Sequence, residues 1–142
     1  MTRIEFYFNV DSKLRAACEL AARTLRQRLR VLVYAPDAGV GLRLEEALRG
    51  FPSIPYACRA ADGVGVAPDA PLIIAGDPDA AIHDEVLLNL HAGAPRHFSR
   101  FRRLIEIVAR AEDDRLAARA RFRYYRDRGY AIRHYDMALA RA

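Results

Sequence analysis

Apolar and polar positions change their period several times along this 142-residue chain. "RIEFYFNV", residues 3–10, is rich in aromatic and β-branched side chains and ends at Asn9 and Asp11, which predicts a strand. "DSKLRAACELAARTLRQRL" then places Leu14, Ala17, Cys18, Ala21, Ala22, Leu25 and Leu29 at helical spacing behind a cap at Asp11 or Ser12. "RVLVYA" is a short continuous apolar run, as in a strand buried on both faces, and Pro36, Asp37 and Gly39 close it. A second helix is predicted from about Gly41 to Leu48. The turn-rich stretch from Gly50 to Pro71 predicts one short strand near Tyr56 to Arg59. "PLIIAG" and "EVLLNL" predict two further strands, joined by "GDPDAAIHDE". "PRHFSRFRRLIEIVARAEDDRLAARARFRYYRDRG" reads as a helix, an acidic break and a second helix stopped by Gly129. Strands alternating with helices predict an α/β fold: a mostly parallel or mixed sheet with helices on both faces, Rossmann-like, forming a single domain over residues 1–142.

Composition narrows the setting. At 52% apolar residues the chain can bury one core. No apolar run approaches the roughly 18 residues that span a bilayer, and "MTRIEFYFNVDSK" lacks the regions of a signal peptide. A cytoplasmic protein without a membrane partner is expected. Cys18 and Cys58 are far apart and have apolar neighbours, which predicts two buried, reduced thiols rather than a disulfide framework or a zinc site.

The net charge of +5 is unevenly placed. Residues 1–95 carry 10 basic and 12 acidic side chains, whereas residues 96–142 carry 13 and 6. The positive field therefore belongs to the last third, where it favours anionic partners, either nucleic acid or an acidic protein segment. Only Lys13 among the 23 basic residues is lysine, a ratio that a GC-rich coding bias explains without explaining the clustering.

Little in the sequence points to catalysis. Gly39 and Gly41 lie between a predicted strand and helix but complete neither a dinucleotide fingerprint nor a phosphate loop, so a turn and helix start is the better reading. Asp77, Asp79, Asp84 and Glu85 read as a solvated loop rather than a cation site. His83, His91, His97 and His134 show no metal-ligand spacing and read as loop or surface histidines. No strained serine turn is present. A binding module without catalytic residues, metal or cofactor is the expectation.

The positive signal is "RLAARARFRYYRDRGYAIRHYD", Arg115 to Asp136. On a helix advancing about 100° per residue, Arg115, Arg119 and Arg126 share one face, bordered by Phe122 and Arg123, while Ala118 and Tyr125 turn to the core. Single-stranded nucleic acid and an acidic peptide with an aromatic residue would both suit such a surface. The pattern alone leaves both open.

The stretch from "EVLLNL" to "IRHYD", with "FYF", "RVLVYAPD", "LEEALRGFPSIPY" and "PLIIAG" before it in order, resembles the chi subunit of bacterial DNA polymerase III holoenzyme. The run that carries most of the resemblance holds Arg119, Arg121, Phe122, Tyr125, Gly129 and Tyr130, preceded by "FSRFRRLIEIV", taken as an aromatic-rich helix. The resemblance implies a non-catalytic adaptor with an α/β fold and no nucleotide. It implies two protein partners: the acidic C-terminal tail of single-stranded DNA-binding protein, and the psi subunit of the clamp loader or a repair helicase. DNA would then be reached only through another protein. By motif, the tail-binding positions fall on Arg115, Arg119, Phe122 and Arg123, with Gly129 and Tyr130 nearby. Phe122 and Arg123 stand where the family carries tyrosine and lysine, which removes a hydroxyl and keeps the charge. Arg49 stands where the family usually has tryptophan, so Phe51, Pro52 and Ile54 are left to supply the apolar patch of the second interface.

Overall fold

Among the described residues seven short segments pair side by side, all parallel, in the order Cys58–Ala60, Leu72–Ala75, Val31–Tyr34, Val86–Asn89, Arg103–Ala109, Arg3–Val10 and Ile132–Asp136. The computed structural model describes residues 1–51, 54, 58–60 and 70–138. The strands are β1 (Arg3–Val10), β2 (Val31–Tyr34), β3 (Cys58–Ala60), β4 (Leu72–Ala75), β5 (Val86–Asn89), β6 (Arg103–Ala109) and β7 (Ile132–Asp136). The helices are α1 (Lys13–Arg26), α2 (Ala38–Leu48) and α3 (Glu112–Asp127). After β1 the chain travels toward the β3 edge by way of α1, and after β6 it travels the other way by way of α3. Right-handed crossovers convert that reversal of direction into a change of face. α1 and α2 thus cover one face of the sheet, and α3 covers the other.

The period-2 alternation of the strands divides the core accordingly. Tyr7, Val33, Leu88, Ile105 and Ile107 pack with Leu20 and Leu44 under α1 and α2. Ile4, Phe6, Leu32, Leu104 and Val108 pack with Ala118 and Tyr125 under α3. The sheet is wholly parallel, which resolves the choice between parallel and mixed, and the architecture is the Rossmann-like α/β fold that the alternation of elements predicts.

Several boundaries differ from the sequence reading. "FSRFRRLIEIV" is not a helix: Phe98–Arg100 forms one 3-10 turn, and β6 follows as a central strand between β5 and β1. Leu104, Ile105, Ile107 and Val108 satisfy helical spacing and a buried strand equally well, and the β-branched content with sheet pairing on both sides decides for the strand. β7 had no counterpart in the pattern, because an edge strand with exposed Arg133, His134 and Tyr135 shows little apolar periodicity. α2 starts before Gly41, since Asp37 does not simply end β2 but caps the helix by accepting from the Gly39 and Val40 amides at 2.8 and 3.4 Å. Cys18 is buried, and burial raises its thiol to about 11; the side chain of Cys58 lies outside the described residues. His83 is buried rather than on the surface.

Candidate functional site

A cavity lies where α3 crosses β1, β6 and β7. It measures about 280 Å³ and is lined by Phe6, Phe8, Val108, Arg115, Ala118, Arg119, Phe122 and His134. The helical members recur at i, i+3, i+4 and i+7, so a single face of α3 forms one wall. Phe6 and Phe8 project from β1, Val108 from β6 and His134 from β7. The rings interlock: His134 stacks on Phe6 at 5.7 Å and meets Phe122 at 5.3 Å, while Phe122 stands edge-on to Phe6 at 6.1 Å. The small side chain of Ala118 lets α3 approach the sheet beneath this group.

At the rim, Arg115 and Arg119 are exposed and form no ion pair or side-chain hydrogen bond among the described residues. Arg126 reaches back over the Phe122 ring, 5.7 Å from its centre, and pairs with Asp127 at 3.2 Å. An apolar cup of aromatic edges beneath two uncommitted guanidinium groups suits a ligand with a ring and a carboxylate close together.

The rotation of α3 that presents this face is set from below. Arg121 and Tyr125, one turn apart, point into the sheet and meet Glu106 of β6: Arg121 Nε donates to Glu106 Oε1 at 3.0 Å, and the Tyr125 hydroxyl donates to Oε2 at 2.6 Å. Asn89 Nδ2 lies 3.1 Å from both carboxylate oxygens, and Arg121 Nη1 also donates to the Ala92 carbonyl at 2.8 Å. The ion pair is sealed from water, with side-chain exposures of 2% and 0%. Burial pushes both the Glu106 carboxyl and the Tyr125 hydroxyl up, and Arg121 opposes both shifts. With Arg121 and Tyr125 anchored, Arg115, Arg119 and Phe122 can face only the cavity side.

Both ends of α3 are fixed as well. Glu112, Asp113 and Asp114 supply negative charge at the N-terminus, and Asp114 accepts from the Ala109 amide at 2.7 Å and from Lys13 Nζ at 2.8 Å. At the C-terminus the Gly129 amide donates to Arg126 O at 2.9 Å and the Tyr130 amide to Tyr125 O at 3.2 Å, the two bonds of a Schellman turn, with Gly129 at φ +82°.

Of the residues singled out in the sequence, Arg115, Arg119 and Phe122 come together in the cavity. Arg123 is exposed farther round the helix, Gly129 makes the terminating turn, and the Tyr130 ring packs on Phe98 at 5.1 Å. Phe6, Phe8, Val108 and His134 escaped the sequence reading, because β1 and β7 meet only once the sheet has formed. Glu106 left one trace: a lone carboxylate inside the apolar run "RLIEIVA".

The second predicted surface lies against the opposite face of the sheet. Arg49 is exposed at the end of α2, and Phe51 and Ile54 are half-buried against the core beneath α1 and α2. Pro52 lies outside the described residues. The glycine-containing turn after β2 borders a cleft of about 90 Å³ lined by Ala35, Pro36, Ala38, Gly41, Ile74, Ala75 and Gly76. Asp37 already occupies the amides at the start of α2, placing a carboxylate where a bound phosphate would need them. Of the acidic loop residues, Asp79 lies 3.7 Å from Arg100 and 3.3 Å from His97, Asp84 lies 3.6 Å from Arg102, Glu85 lies 3.0 Å from Arg30, and Asp77 accepts from the Asp79 amide at 2.9 Å.

The family model described as "DNA polymerase III chi subunit, HolC" matches residues 1–133. A curated relative, DNA polymerase III subunit chi of Pseudomonas aeruginosa, is 30% identical over 144 residues, covering 96% of this chain and 98% of the relative.

Proposed function

The chain belongs to the DNA polymerase III chi subunit family, and from that premise we propose that it is a non-catalytic adaptor holding the acidic C-terminal tail of single-stranded DNA-binding protein. The observation that carries this reading is the pairing of a ring-lined cup with Arg115 and Arg119, two cations that no described acidic group engages. A tail ending in phenylalanine offers a ring for the cup and a free carboxylate for the rim, with aspartates behind it for Arg123 and Arg126. The second partner, the psi subunit of the clamp loader or a repair helicase, is assigned to the surface of Arg49, Phe51 and Ile54. That surface lies against the other face of the sheet, so both partners can be held at once. Each tail contact is small, but several tails on one coated strand raise the effective concentration and make recruitment efficient.

Titration calorimetry with a synthetic tail peptide tests the assignment. Micromolar binding is expected, in keeping with a short peptide in a small cup. Amidating the terminal carboxylate or introducing Arg119→Glu removes charge-assisted bonds and should weaken binding about tenfold to a hundredfold. Unchanged affinity in both cases would exclude the cavity as the tail site. Tight, steeply salt-dependent binding of a naked oligonucleotide, indifferent to the tail, would replace this reading with direct recognition of nucleic acid.

A further inference from the structure

Among the described residues β7 ends the sheet and bonds only to β1. The Ile4 amide donates to Ala131 O at 3.1 Å, and the Met137 amide donates to Phe8 O at 2.9 Å. Bonding residues alternate along a parallel ladder, so Arg133 and Tyr135 turn their peptide groups to β1, and Ile132 and His134 turn theirs away from the sheet. Among the described residues nothing bonds to those outward groups. His134 therefore serves two surfaces, its ring lining the cavity while its N–H and C=O lie on the open edge.

Open edges invite an added strand, and proteins commonly guard them with charge. Here the exposed guard is Arg133, and the acidic side chain of the same strand, Asp136, is engaged by Asn9 Nδ2 at 3.1 Å and the Ala138 amide at 3.0 Å. Arg115 and Arg119 stand across the cavity mouth. Such an edge disfavours a cationic strand and accepts an anionic one.

We propose that the outer edge of β7 receives, as an eighth strand, the extended acidic segment that leads into the terminal residue held in the cavity. The inference rests on the tail-binding reading and adds main-chain pairing to it, the mode in which backbone bonds give affinity and a pocket gives specificity. The edge is continuous with the cavity through His134, which favours this occupant over an unrelated peptide.

The test uses the full chain and the tail peptide, methylated at one backbone nitrogen at a time. Methylation at positions facing β7 should weaken binding about three- to tenfold each, with little effect at the intervening positions. Hydrogen exchange at the Ile132 and His134 amides should slow when the unmethylated peptide is added. Normal, Arg119-dependent affinity with a flat methylation series and unprotected amides would overturn the edge inference and leave the cavity assignment standing. Absence of binding would overturn both. Protection that rises with protein concentration without peptide would instead assign the edge to a second copy of the chain.

Discussion

At the scale of single residues, the Glu106–Arg121 pair is the group on which the site's geometry depends most. A buried ion pair is costly to form and much costlier to break, because the survivor keeps its charge without a partner. Arg121→Met should lower unfolding stability by about 3 to 5 kcal/mol in urea titrations, whereas Arg121→Met combined with Glu106→Gln, which removes the charge and keeps an acceptor for the Tyr125 hydroxyl, should recover part of that loss. If the double variant were as unstable as the single one, the pair would not be the source of the effect. Sequence reading reached the rim of the site at this scale but not its support. Arg115, Arg119 and Phe122 were legible because helical spacing groups them on one face. Arg121 looked like one more member of a basic run, and only its partner on β6 shows it to be buried.

At the scale of elements, α3 was legible at both ends and its neighbours were not. The acidic first turn and the glycine stop are local signals that survive into the structure. Gly129 has open space around it, so a substitution there meets backbone strain alone. Gly129→Ala should therefore cost about 1 kcal/mol, read as a lowered thermal midpoint with the fold retained. A much larger loss would mean that the last turn of α3 carries more than its own closure. β6 and β7 were hidden for opposite reasons. β6 is so completely buried that its pattern suits either type of element, and β7 is so exposed that it has almost no pattern.

At the scale of the whole molecule, the fold class followed from the alternation of elements, while the strand order could not, since pairing in a parallel sheet joins segments distant in sequence. Global stability also has a titrating group within it. His83 is buried, its Nδ1 accepts from the Glu85 amide at 3.1 Å, and burial lowers its pKa from 6.5 to about 4. Above pH 6.5 the imidazole is neutral whether the chain is folded or not, and its contribution to stability is fully present. Between 6.5 and about 4 the unfolded chain binds a proton that the folded one refuses, so stability falls with falling pH. The expected slope approaches about 1.4 kcal/mol per pH unit in chemical unfolding. His83→Asn keeps an acceptor for the Glu85 amide and should flatten that slope; an identical slope would trace the acid sensitivity to other groups.

The insertion of β1 between β6 and β7 has a consequence for the order of events during synthesis. Phe6 leaves the ribosome long before His134, yet the two rings lie against each other in the finished cup. A nascent chain has no competent pocket until β7 has emerged, and the same holds for any fragment cut before β7. Capture of a ligand through this cup is thereby restricted to molecules that have paired β7 with β1.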